Sequence, residues 1–543
     1  MDKIPKTEKL TIYLIRNGYI EDKSFIKIDS AKKPISLAIP GIDQATLYIK
    51  QQAEPKRPKW VSFFTDSHQV DESIFGYNSH VAAVLVVRMS ERIFVLSFGM
   101  GRFLIELDRI ERDFGLKVTL NSVDPQKLKS VDKTDHSVSN PLISRNQSSK
   151  LSNLNNLDVD EEMEFLNSLT GESKIERLGT VISGRDSLTI FINSKLINIY
   201  TIIEKVKSLY EKKIPTEFEW IENIYRIKDP EIIELLDSIV DDRIRNNELD
   251  SMWLAEPEIV SWEDQVGYSF STAKNATYTQ TLDLKSYITY RKNTSTEQMK
   301  KDKVYTLNLD YNIIRTWSIY RCLYAEVNDN NEQYILRNGD WYSINNKYLD
   351  TLNECMSKIK PYDFSFPIYD KETEYIYNKE VATAHKNIEI MDQEFIYYGG
   401  SYSKNEHCDL IKDSKEFIHV KLYRGSSSMS HLFAQGLIAS EAFIFDELYR
   451  MKLNDKLPEH IQLENPHERP EPSQYKIVYA IAANRNFPKD LPFFSKVTLK
   501  NTLKRLQGLG YKVRVAMVPV DQDTLNIIKG KPEPDKPKVS ASA

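Results

Sequence analysis

The stretch EHCDLIKDSKEFIHVKLYRGSSSMSHLFAQG, residues 406–436, decides how this chain is read. It divides into a polar strand, a turn, a second strand ending in His-Val-Lys, and a helix. Side chains alternate across a strand. In HCDLI (407–411), His407, Asp409 and Ile411 therefore share one face, and Cys408 and Leu410 the other. In FIHVKLY (417–423), Phe417, His419, Lys421 and Tyr423 share a face, while Ile418, Val420 and Leu422 take the other and can enter a core. With the apolar faces together, Asp409, His419 and Lys421 converge on one polar surface. An acid and a lysine on adjoining strands can hold a metal and position a water. The same pair can form a plain cross-strand ion pair on a solvated face. The residues alone leave both readings open.

The neighbouring segments extend the pattern on both sides. KETEYIYNKEVATAHKN (371–387) reads as a helix with Glu374, Tyr377, Glu380 and Val381 near one face, and Glu380 is the acid it could add. EFIYYGG (394–400) reads as a strand. SMSHLFAQG and SEAFIFDELYRMKL read as two helices, with Ser428 and Ser440 as N-caps. YKIVYAIA (475–482), a helix over 496–507 and YKVRVAMVPV (511–520) complete the order, and the tail from 521 is expected to be disordered.

A chain of 543 residues is too long for one ordinary core, so two or three domains are expected. Its 41% hydrophobic and 28% charged residues match a soluble globular protein. The formal charge of −5 excludes a basic coat, so any nucleic-acid contact must be a local patch. Three widely spaced cysteines without a CxxC pair argue against a disulfide frame and a cysteine zinc site, and fit a reducing cytoplasm. The N-terminus lacks a signal-peptide core, and no apolar run is long enough to span a membrane. HExxH, GxSxG, P-loop and kinase signatures are missing.

The N-terminal half reads as β-rich. KLTIYLIR (9–16) alternates with period two, and the apolar runs 80–89 and 92–99 flank Ser90-Glu91 as a hairpin. A helix-like stretch over 103–114 and a strand near 116–121 follow. Residues 124–160 read as long polar loops, and Ile199–Tyr210 as an amphipathic helix. FGMGR (98–102) and SGRDS (183–187) read first as turns, with Arg102 and Arg185 as alternative phosphate contacts. The aromatic stretch 305–350 could stack bases, although Trp317 and Trp341 suit a core better.

The helix, strands and following helix around 372–436 resemble the PD-(D/E)xK nuclease core, especially its type IV restriction branch. That resemblance implies a Mg²⁺- or Mn²⁺-dependent site in which Glu380 matches the helix acid, Asp409 the strand acid and Lys421 the water-positioning lysine. Gln435 matches the polar residue of the following helix. Arg424 and His431 are candidate phosphate contacts, although His431 reads first as a cap of its helix. His419 departs from the pattern, because it stands where an acid is expected and imidazole suits Mg²⁺ poorly. Glu406 could supply the missing oxygen, making Asp409, Glu380 and Glu406 the candidate metal ligands.

Over most of its length the chain also resembles a family of sporadically distributed bacterial proteins of unknown function. The likeness is carried by WVSFF (60–64), FGMGRFLI (98–105), FGLKVTLNSVDP (114–125), RNQSS (145–149), LTG (169–171), SGRDSL (183–188), CDLI (408–411), IHVKLY (418–423) and SHLFAQG (430–436). It implies a mobile, cytoplasmic protein linked with defence against phage or foreign DNA. The expectation is therefore an α/β (α+β) multidomain protein. A β-rich N-terminal domain spans 1–195, a middle region 196–371, a restriction-endonuclease-like domain 372–520 and a tail 521–543. Its function is expected to be metal-dependent cleavage of DNA or RNA in defence. The alternative is a non-catalytic nucleic-acid- or protein-binding sensor with a partner defence protein, and homo-oligomerisation fits either.

Overall fold

Helices and strands are interspersed in several sheets, as an α/β multidomain chain requires. The computed structural model describes residues 7–530, apart from 52–56, 59, 67–69, 78–80, 136–141, 162–163, 261, 273–277, 309–311, 331 and 398–403. The chain divides into two compact units, Met1–Thr134 with Ile143–Ile221, and Asp135–Leu142 with Glu222–Ala543. Among the described residues no helix is long and apolar enough to cross a membrane.

The first unit is built on a ten-stranded sheet, counted among the described residues. The expected hairpin is there: Ala82–Met89 pairs with Arg92–Gly99, and Ser90 and Glu91 turn with φ of 49° and 62°. Two left-handed turn residues match the right-handed twist of the flanking strands. The helix Ile199–Glu211 buries Ile202, Ile203, Val206 and Leu209 in the same core, so this unit runs past residue 195.

Two readings of this unit are corrected. Residues 116–121 belong to a helix, Phe114–Leu120, not a strand. Phe114, Leu116, Val118 and Leu120 are all buried, which imitates strand alternation. The described residues of 124–160 are largely strand, Val123–Asp135 and Leu142–Ser152, rather than long loops. Their charges conceal the pattern because they are paired inside the sheet. Asp132 takes Arg145 at 2.5 Å and Arg185 at 2.7 Å, and Lys133 meets Glu164 at 2.8 Å. Arg185 is thereby spent on Asp132, while Arg102 lies 5.3 Å over the Phe103 ring.

In the second unit, a five-stranded sheet and a three-stranded sheet share one core. Trp317 and Trp341 are buried there. The Trp341 indole and the Tyr320 hydroxyl both donate to Asp237 Oδ1, at 2.9 and 2.7 Å, and Lys300 Nζ lies 2.8 Å from its Oδ2. Trp341 is thus a core anchor rather than a base-stacking platform.

The C-terminal part of this unit has a sheet ordered Ile388–Ile390, Leu410–Lys412, Glu416–Leu422, Lys476–Ala482, Lys512–Val518. The first two pairings are antiparallel and the last two parallel. The helices Ser426–Phe445 and Phe493–Leu509 lie in the two parallel crossovers. On the central strand, Ile418, Val420 and Leu422 enter the core with Tyr377 and Val381, as alternation predicts. Phe417 and His419 take the other face, but that face is buried against Phe443 and Tyr479 rather than solvated.

Four local expectations change here. Ile388–Ile390, not EFIYYGG, is the outer strand, and Phe395–Tyr397 pairs apart with Lys404–Glu406. Ser428 and Ser440 lie inside one long helix, Ser426–Phe445, bonding back to the Gly425 and Gly436 carbonyls at 2.8 and 2.6 Å. The cap of the following helix is Asp446, which accepts from the Tyr449 amide at 2.9 Å. The expected tail begins with a helix, Gln522–Gly530, capped by Asp521 through the Thr524 amide at 2.9 Å. Residues 531–543 lie outside the described residues.

One close approach locks the first unit. A Cβ added to Gly184 would lie 1.9 Å from the Gly115 carbonyl oxygen. Helix Phe114–Leu120 thus sits backbone-to-backbone on strand Val181–Gly184. Because the obstacle is main chain, Gly184→Ala is expected to destabilise by about 3 kcal/mol or more, beyond ordinary overpacking. Chemical denaturation of the full chain checks this; a loss under about 1 kcal/mol contradicts the packing.

Candidate metal centre

Four carboxylates and one lysine meet where the helix Glu374–Ala384, the end of the central strand and the long helix come together. Thr373 starts the first helix by accepting from the Ile376 amide at 3.4 Å. This makes Glu374 the first helical residue and aims it at the strand end. Its Oε2 takes Lys421 Nζ at 2.7 Å, and its Oε1 accepts from the Leu422 amide at 3.0 Å. Glu374 is therefore the acid that this helix contributes.

Glu380, the acid expected from sequence, lies elsewhere. Six residues on, it is ~9 Å further along the axis and on another face. It pairs with Lys371 at 3.0 Å and is 58% exposed.

Asp392, Glu406 and Asp409 form the centre, with one oxygen from each within 4.8 Å of the others. Asp409 is half-buried and accepts from the Val420 amide at 2.6 Å. Asp392 accepts from Asn378 Nδ2 at 2.7 Å, and Glu406 from Gln435 Nε2 at 3.0 Å. The Gln393 amide also donates to Glu406, whose carboxyl is hydrogen-bonded to that of Asp392. Gln435 thus belongs to the site as a brace on Glu406.

The electrostatics follow from this crowding. Burial first, then the charges of Glu406 and Asp392, hold Asp409 well above the usual carboxylate range. Burial likewise raises Asp392 and Glu406, and each is raised further by a neighbouring acid. For Lys421, burial works against the ammonium, but Glu374 outweighs it and the net shift is upward. Three oxygen donors with surplus negative charge suit a hard divalent cation such as Mg²⁺ or Mn²⁺.

His419 is not part of the cluster. It is buried on the long-helix side, its ring centre 5.8 Å from that of Tyr479, and burial holds it down to about 4. His407 sits among Phe417, Phe443 and Tyr449 and bonds the Tyr449 hydroxyl at 3.1 Å. His431 is exposed on the long helix. Arg424 is half-buried next to the site. Asp392 and Glu374 were missed from sequence. The Thr373 cap could have pointed to Glu374, whereas nothing local marks Asp392.

Residues 10–519 match a family model described as a Family of unknown function (DUF6119). The chain belongs to that family. No curated protein and no solved structure matches it significantly. The DUF6119 match takes in the whole cluster, from Glu374 to Gln435, so the site lies within the region that defines the family.

Without a cation the folded cluster holds protons that the unfolded chain releases. Its contribution to stability is complete below the unfolded carboxylate pKa, near pH 4, and is lost as pH rises through the raised folded values. Metal-free wild type is therefore expected to lose thermal stability toward neutrality more steeply than Asp392→Asn/Glu406→Gln. Mn²⁺ should restore it in wild type alone. Melting curves against pH check this; superimposable profiles would show that the acids are not coupled.

Proposed function

We propose that the cluster is a metal-dependent phosphodiesterase centre acting on nucleic acid. The observation that carries this reading is the meeting of Asp392, Glu406 and Asp409 beside a lysine held by Glu374. Once ionised, these acids outnumber the lysine and repel a phosphate, and a cation held between them would remove that repulsion. A divalent cation held by these three carboxylates would offset the charge that develops on the scissile phosphate.

The chain's own groups have distinct tasks. Glu374 fixes the Lys421 ammonium and keeps it charged. Lys421 is placed to orient a water and stabilise negative charge beside the cluster. Asn378 and Gln435 hold Asp392 and Glu406 in position, as outer partners of metal ligands do. Glu406 and Asp392 together provide the oxygens that His419 cannot.

We propose as the wider role, on the resemblance to the sporadically distributed bacterial family, a cytoplasmic defence factor against phage or foreign DNA. The rival reading, a non-catalytic sensor working with a partner protein, draws on the replacement of an acid by His419.

Plasmid, linear and single-stranded DNA, and RNA, incubated with Mg²⁺ or Mn²⁺, separate the two. We expect cleavage by wild type, a loss of about 100-fold or more in Lys421→Ala and Glu374→Gln, and little change in Glu380→Gln. Binding without cleavage under every metal condition would leave the sensor.

A further inference from the structure

Three arginines lie beyond the Lys421 end of the central strand, and none has a carboxylate within ion-pair distance among the described residues: Arg243, Arg424 and Arg485. In a chain of net charge −5, an unneutralised group of this kind needs an explanation. Elsewhere the arginines near acids are paired, as Arg145 and Arg185 are with Asp132.

The backbone brings Arg243 and Arg485 together around Tyr423, and Arg424 follows Tyr423 in the chain with its charge felt at Lys421 and Tyr369. The Tyr423 amide donates to the Ala482 carbonyl at 3.0 Å, joining the ends of two parallel strands. Arg485 follows the second strand and stacks on the Tyr423 ring, 4.9 Å from its centre, with Nη1 3.5 Å from the hydroxyl. Gly425, at φ 126°, lies so close to the Asp250 carbonyl that an added Cβ would be 2.0 Å away. The loop carrying Ser251 therefore rests on the turn after Tyr423. Arg243 reaches the same place and donates to Ser251 Oγ at 3.0 Å and to the Glu326 carbonyl at 2.7 Å.

Arg243 is held below its usual range by burial and, in part, by the like charge of Arg485, although Glu248 and Glu326 oppose this. The Glu326 carboxyl is not in ion-pair contact with any of the three arginines among the described residues. It is buried, accepts from the Phe493 amide at 2.9 Å, and is raised to about 7, chiefly by burial. Asp250 acts on Tyr423 from the loop side.

We propose that Arg243, Arg424 and Arg485, with Tyr423 as a platform, bind the phosphodiester backbone of the nucleic acid served by the acid cluster. This rests on the phosphodiesterase reading and names the substrate contact of that site. Arg424 is three residues past Lys421, ~10 Å of extended chain, and Arg485 lies three residues past the end of the adjoining strand. The array therefore covers more than one phosphate, which suits a polymer better than a single small anion. Planar guanidiniums grip phosphate in two places, and they carry no base preference of their own.

The test measures binding of full-length protein to duplex DNA, single-stranded DNA and RNA in Ca²⁺, across a salt series. Wild type is compared with Arg424→Gln, Arg485→Gln and the double variant; Arg243→Lys probes the buried member with charge retained. The double variant is expected to bind at least tenfold more weakly for any base sequence. On duplex DNA, the slope of log affinity against log salt should fall by about two. Unchanged melting temperature shows that the fold is intact, and the polymer most affected identifies the substrate. Wild-type affinity and slope in the double variant, or no binding to any of the three polymers, overturns the proposal. Weaker binding of the variants alongside a wild type that cleaves nothing would retire the phosphodiesterase reading and leave the arginine site standing.

Discussion

Three half-buried carboxylates brought within 4.8 Å of one another set a cost that the surrounding structure has to meet. Each buried charge carries a desolvation penalty of several kcal/mol, and the repulsion between acids adds to it. The surrounding structure answers with donors. Asn378 holds Asp392, Gln435 and the Gln393 amide hold Glu406, and the Val420 amide holds Asp409. What the donors do not cover is met by retained protons, or by a cation in the reading proposed above. The start of one helix, the end of one strand and a turn of another helix are tied together because each supplies a partner to this cluster.

The sheet beneath is built to be rigid. The central strand is buried on both faces, with Ile418, Val420 and Leu422 on one side and Phe417 and His419 on the other. Strands covered on both faces have little freedom to slip, since a shift of one residue exchanges every side chain between two packed layers. His419 and His407 are part of that covering. Burial keeps them neutral, at about 4 and about 3, so they serve as packing groups at neutral pH. Glu374 completes the frame by binding Lys421 and the Leu422 amide together.

The first unit relies on a different device. Its long polar strands carry charges that pair across the sheet, and its helix Phe114–Leu120 is seated through the contact of Gly115 with Gly184. The conspicuous SGRDSL segment is explained by this seat and by the Arg185–Asp132 pair. A phosphate-binding turn is not required to account for it.

Local pattern carried much of the fold. Period-two alternation located the hairpin at Ser90-Glu91 and the inner face of Glu416–Leu422, and helical spacing located Ile199–Glu211. These features depend on residues within a few positions of one another, so the sequence by itself determined them. It also named Asp409, Lys421, Glu406 and Gln435, which lie on or beside recognisable strands and helices. Tertiary structure alone decided which acids meet. Glu374 replaced Glu380 because a cap at Thr373 set the start of the helix, and Asp392 entered from a loop with no periodicity to mark it. The polar strands Val123–Asp135 and Leu142–Ser152 escape periodicity for the same reason, since their charges are satisfied by partners distant in sequence. Periodicity reports which face of an element is apolar. It does not report which other element will lie against that face, and the chemistry here is made entirely by such contacts.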